Sequence, residues 1–135
     1  ENYLKKAVHN MNFAIFMLNE LLEKLEFYGL SLRMAKENLN ILIPKKQSRL
    51  SEYNQTIEDF NRAEETTIKF LSYLNSNEKV IGRWFTLKST PEYMKNKKIS
   101  IVNNATHILN EATLFKKRYL GNPITQPSST PCVIS

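Results

Sequence analysis

The body of this chain is almost without helix breakers. Among 135 residues only three are glycine and five are proline. Pro123, Pro127 and Pro131 stand in the last stretch, which leaves Gly82 and Pro91 as the only such residues between 45 and 120. A loop-rich or β-rich fold needs many more of both. The single cysteine, Cys132, excludes an internal disulfide framework and suits a reducing compartment. No apolar run approaches the roughly 18 residues of a membrane span, and no secretory signal pattern stands in these residues. There is no GxxxxGK[ST] phosphate loop. His9 and His107 have no metal-ligating neighbours at usable spacing, and no nucleophile–base set is visible. The expectation is therefore a non-enzyme with no cofactor and no metal.

What is present is helical periodicity. Leu4, Val8, Met11, Ile15, Leu18, Leu22 and Leu25 follow the alternating four–three spacing of a helix seam, continued through Gly29, Leu32, Lys36, Leu39 and Ile43 until Pro44 stops it. The flanking positions Ala7, Ala14, Leu21, Tyr28, Ala35 and Leu42 are apolar or aromatic, where a two-stranded coiled coil would place charge. A bundle helix about 60 Å long is expected, with Gly29 as a candidate kink. Phe13, Phe16, Met17, Phe27, Leu30, Met34 and Ile41 lie off the seam. The expectation adopted is that this helix is central and covered on two sides; the competing one is an exposed stripe for a partner helix or a second copy.

Lys45-Lys46-Gln47-Ser48 reads as a short turn into an antiparallel second helix over 47–75, seamed by Leu50, Tyr53, Ile57, Phe60, Leu71 and Leu74. Glu64-Glu65-Thr66-Thr67 interrupts that seam and is expected to face solvent. Residues 77–89 are short and aromatic, with Trp84 read as a plug at the bundle end rather than a membrane anchor. A third long helix is expected from Thr90 as N-cap and Pro91 as first helical residue. It runs through Ile101, Ala105, Ile108, Ala112, Phe115 and Tyr119, and Gly121 and Pro123 end it. The fold expected is all-α: an antiparallel three- to four-helix bundle over residues 1–120, with a long first helix, followed by a disordered linker over 121–135.

Charge is uneven. Residues 1–78 hold ten Lys/Arg against eleven Asp/Glu, a balance of −1, and residues 79–135 hold nine against two, a balance of +7. The basic residues of the third long helix, Lys95, Lys97, Lys98, Lys116, Lys117 and Arg118, are candidates for contact with an anionic surface, either phospholipid or nucleic acid. The competing reading is a solvated helix face, with the last three complementing a helix C-terminus.

The last four residues are Cys132-Val133-Ile134-Ser135, a C-a-a-X pattern whose final serine favours farnesyl. The pattern has a physical logic: an exposed thiolate is the nucleophile and two aliphatic side chains fill an apolar pocket. This tetrapeptide resembles the prenylation box of small GTPases, lamins and other farnesylated proteins. The resemblance implies that Cys132 is lipidated, with Val133, Ile134 and Ser135 as recognition elements. It further implies a prenyltransferase and a soluble prenyl-binding carrier as partners. One lipid chain holds a protein only marginally, so a second attachment signal is needed. Fourteen residues separate Arg118 from Cys132, a coil span of about 20 Å against a screening length of about 8 Å, so the basic cluster acts only if the helix end comes down to the surface.

The functional expectation is a helical adaptor, peripheral on the cytosolic face of a membrane, whose bundle binds another protein or a second copy. An asparagine- and lysine-rich composition fits an AT-rich genome, such as that of a protozoan or of a bacterial pathogen whose effectors borrow host prenylation. The alternative is a basic helical module that binds nucleic acid, with an incidental tail; it predicts affinity falling steeply with salt.

Overall fold

A computed structural model describes the backbone of residues 2–76 and 78–121 and the side chains of residues 10–76 and 78–121. Four α-helices follow one another: α1 (Asn2–Leu42), α2 (Leu50–Asn75), α3 (Val80–Trp84) and α4 (Glu92–Tyr119), with one 3-10 turn, Ile43–Lys45, after α1. There is no strand among the described residues. The expected all-α bundle with a long first helix is what the chain forms. The expected linker, residues 121–135, lies outside the described residues except for Gly121.

Helix α1 runs through Gly29 without a break. Gly29 is buried against α4, where an added Cβ would stand 3.4 Å from Ile108 Cδ1 and 4.0 Å from Ala105. Both distances are ordinary contacts, so the packing of α1 on α4 leaves room for a methyl at position 29. Pro44 then tightens the chain into the 3-10 turn, and Arg49 N–H donates to Lys45 O at 2.9 Å. No side chain caps α2. Instead Arg49 grips Glu52 in the first turn with two hydrogen bonds of 2.7 Å.

At the other end α3 folds back over the end of α2. Gly82 permits it, since a Cβ there would meet the Ser76 carbonyl oxygen at 2.0 Å. Thr90 departs from its expected capping role. It is buried, and its hydroxyl donates to Trp84 O at 2.5 Å, so it ties α3 to the entry of α4. The N-terminus of α4 begins one residue later than expected, with Pro91 O accepting from the N–H groups of Met94 and Lys95. Gly121, at φ 69°, takes the left-handed conformation that follows α4.

Lys97 faces Glu23 at 3.7 Å and Lys36 faces Glu111 at 3.5 Å, so α1 and α4 run parallel, with α2 antiparallel to both. The core forms two clusters. One joins Leu18, Leu22 and Leu25 to Leu74, Phe85 and Met94; the other joins Leu32 and Leu39 to Phe60, Ile108 and Phe115. The α1 seam is buried from Leu18 onward and slides toward Ala35 and Leu42 near its end. Before Leu18 the cover thins: Ile15 is partly buried against the first cluster and Met11 is exposed, because α1 at about 60 Å outruns α2 and α4 at about 40 Å.

Three further expectations are corrected. The second apolar group of α1 is not a second core face: Phe13, Phe16, Met17, Phe27, Leu30, Met34 and Ile41 are all exposed. The Glu64–Thr67 patch does not simply face solvent. Thr67 is fully buried with its hydroxyl donating to Ala63 O at 2.7 Å, and Glu64, 15% exposed, pairs with Lys116. Leu50 and Tyr119, placed in seams by spacing, are about half exposed. Trp84 is partly buried against the first core cluster, as a bundle-end plug should be.

Candidate functional site

Two surfaces stand out, one along a single helix and one where distant segments meet. The first is the outward side of α1. On that side Phe13, Phe16, Glu20, Glu23, Phe27, Leu30, Met34, Glu37 and Ile41 are separated by three and four residues in strict alternation. This is a second helical seam, opposite the one that packs the core. Its apolar members are open to solvent: Phe27 is 64% exposed, Met34 63%, and Phe13 and Phe16 60% each. Phe27, Leu30, Met34 and Ile41 together leave on the order of 450 Å² open, the size of the largest and often functional apolar patch of a monomer.

Beside this row a groove of about 450 Å³ runs between α1 and α2. Phe27, Ser31, Met34 and Asn38 form one wall, and Thr56, Asp59, Arg62 and Thr66 the other. An aromatic run crosses one end of it. Phe27 meets Tyr28 edge-on at 5.6 Å, Tyr28 stacks on Phe70 at 5.4 Å, and Phe70 meets Tyr73 edge-on at 6.2 Å. Asp59 accepts from Gln55 at 3.1 Å and lies 3.5 Å from Arg62.

The second surface is the end of the bundle where the chain leaves α4. Leu120 packs in the same cluster as Ile43 and Tyr53, which brings the α1–α2 turn beside the end of α4. Lys45, Lys46, Arg49, Lys117 and Arg118 are all exposed there. Lys46 lies over the Tyr53 ring at 5.0 Å and Arg118 lies 6.0 Å from that of Tyr119. Glu52 is the carboxylate of the turn, and its hydrogen bonds from Arg49 hold it below the usual carboxylate range while raising the guanidinium. The C-termini of α1 and α4 also point to this end, so part of the positive charge offsets their dipoles.

The six candidate basic residues of α4 do not act as one patch. Lys97 is half-buried, pairs with Glu23 and hydrogen-bonds Asn19. Lys116 is turned inward onto Glu64 at 2.6 Å. Lys98 lies over the Phe85 ring at 5.6 Å, and Lys95 is half-buried near the opposite end. Lys117 and Arg118 alone join the basic end. Of its other members, Lys45 and Lys46 read in sequence as part of a short polar turn and Arg49 as part of the second helix; only the fold brings them to α4. Cys132, Val133, Ile134 and Ser135 lie outside the described residues.

His107 is exposed, 3.4 Å from Glu111, and no group of three or more His, Cys, Asp or Glu is placed to hold a metal among the described residues. No described helix is long and apolar enough to cross a membrane. What the geometry defines is an up-down-up helical bundle with one apolar flank and one basic end. No protein-family model matches this chain, and comparisons with curated proteins and with solved structures return no match.

Proposed function

We propose that this chain is a helical adaptor held at an anionic membrane by a farnesyl group on Cys132, with the basic end of the bundle against the lipid. The observation that carries this reading is the convergence of Lys45, Lys46, Arg49, Lys117 and Arg118 on the end from which the chain runs on toward Cys132. With Ser135 as the terminal residue, a prenyltransferase would join the Cys132 sulfur to farnesyl diphosphate. A carbon–sulfur bond forms, the carbon–oxygen bond breaks and diphosphate leaves. Val133, Ile134 and Ser135 are what that enzyme recognises. A prenyl-binding carrier shields the lipid in transit.

The lipid alone holds a protein marginally. A basic side chain within a screening length of an anionic leaflet adds about 1 kcal/mol. Any two of Lys45, Lys46, Lys117 and Arg118 would supply about 2 kcal/mol, roughly thirtyfold in affinity. These residues lie at the end of the bundle from which the chain continues toward Cys132, so charge and lipid would meet the same surface.

The test is sedimentation of the farnesylated chain with phosphatidylcholine vesicles, with and without phosphatidylserine. Binding is expected to rise at least tenfold with phosphatidylserine, to fall with salt, and to fall again in Lys45→Glu/Lys46→Glu. Cys132→Ser should remain in solution. Equal binding of Cys132→Ser, or tight salt-sensitive binding to duplex DNA by both forms, would overturn the reading.

A further inference from the structure

We infer that the outward face of α1, with its groove against α2, receives an amphipathic helix of another protein whose apolar ridge is flanked by lysine or arginine. This deepens the adaptor half of the proposed function and rests on it, but it needs neither the lipid nor the membrane.

The spacing states the shape of the occupant. Phe27, Leu30, Met34 and Ile41 stand at i, i+3, i+7 and i+14, one apolar stripe along α1 against which a second helix packs its own apolar ridge. A helix laid along the groove would make a fourth partner to the three long helices and complete a four-helix bundle. These four side chains leave on the order of 450 Å² open to solvent, about half of what one side of a standard interface covers, with the groove walls of α2 beside them. Met34 beside the aromatic run of Phe27, Tyr28 and Phe70 gives an adaptable, polarizable surface of the kind that accepts apolar side chains.

The charge states its sign. Glu20, Glu23 and Glu37 lie in the same row as the apolar anchors, while on the facing wall Asp59 is already paired with Arg62 at 3.5 Å and adds no net charge. Glu23 is engaged by Lys97, whereas Glu20 and Glu37 make no ion pair among the described residues. A partner that covers the row without cations would desolvate these carboxylates unpaired.

The same row argues against two other occupants. Pairing two copies antiparallel about Phe27 sets Glu20 opposite Met34 and brings Glu23 and Glu37 beside Leu30 and Phe16; parallel pairing sets each glutamate against itself. An anionic bilayer meets the wrong sign of charge.

The test uses the full chain carrying Cys132→Ser, in solution and without vesicles. Two fluorescent helical peptides of about three heptads are titrated by anisotropy, both with leucine at a and d, one with lysine and the other with glutamate at e and g. The chain carries a net charge of +6, so overall electrostatics favours the glutamate peptide and any preference for lysine must be local. The lysine peptide is expected to bind at least tenfold more tightly. Phe27→Asp/Met34→Asp should lose that binding, and Glu20→Lys/Glu37→Lys should reverse the preference while circular dichroism stays unchanged. Equal affinity for the two peptides, or no response to the charge reversal, overturns the inference. Concentration-dependent dimerisation abolished by Phe27→Asp/Met34→Asp assigns the face to a second copy and overturns it equally. Neither result touches vesicle binding by the farnesylated chain, so the membrane reading stands or falls separately.

Discussion

At the scale of single residues, two glycines in helices should respond in opposite directions to the same substitution. Gly29→Ala places a methyl 3.4 Å from the flexible end of Ile108, ordinary contact, while removing the entropic cost of glycine in a helix. It should stabilise by up to about 1 kcal/mol. Gly82→Ala drives a methyl into the Ser76 carbonyl at 2.0 Å, a backbone atom that cannot step aside. It should destabilise by about 1–3 kcal/mol. Thermal unfolding of the two variants checks both signs. Lys116→Ala should cost about 1–3 kcal/mol, because Glu64 would stay largely buried with its cation removed. The exposed Arg49–Glu52 pair sets a pH dependence of known sign. The folded-state pKa of Glu52 is lowered, so its contribution is present above the unfolded-state pKa and lost as pH falls through the folded value. A difference in melting temperature between wild type and Glu52→Gln should therefore close on acidification.

At the scale of elements, α1 has two seams with different fates. Leu25→Ala and Leu32→Ala remove fully buried side chains and should each cost about 2–5 kcal/mol. Phe27→Ala and Met34→Ala, on the outward seam, should leave the unfolding free energy within about 0.5 kcal/mol of wild type. Chemical denaturation of the four variants separates the seams. Sequence showed both seams but could not tell which face was covered, since periodicity reports amphipathicity and says nothing of the number of neighbours. With α2 and α4 both packed on one side of α1, the other side has no neighbour left among the described helices. The third long helix was legible from Ile101 to Phe115 by spacing, whereas the role of Thr90 was not. A threonine before Pro-Glu is the pattern of a cap, and only the fold-back of α3 gives its hydroxyl the carbonyl of Trp84 instead.

At the scale of the whole molecule, composition foretold the helical class and the uneven charge, but not where the charge gathers. Lys45 and Lys117 are separated by more than half the chain and meet only because α1 and α4 end together. Conversely, Lys97 and Lys116 looked like members of a basic face and are instead cross-ties to Glu23 and Glu64. Trp84, the one tryptophan, packs at the far end of the bundle, roughly 35 Å from the Lys45–Arg49 turn. That placement makes orientation at the membrane directly measurable. The farnesylated chain is bound to phosphatidylserine vesicles containing brominated lipid, and tryptophan quenching is compared between wild type and Trp84→Phe/Gln47→Trp. The expected result is an unquenched Trp84 and strong quenching of the indole introduced at position 47. Quenching of Trp84 with none at position 47 would contradict attachment through the basic end.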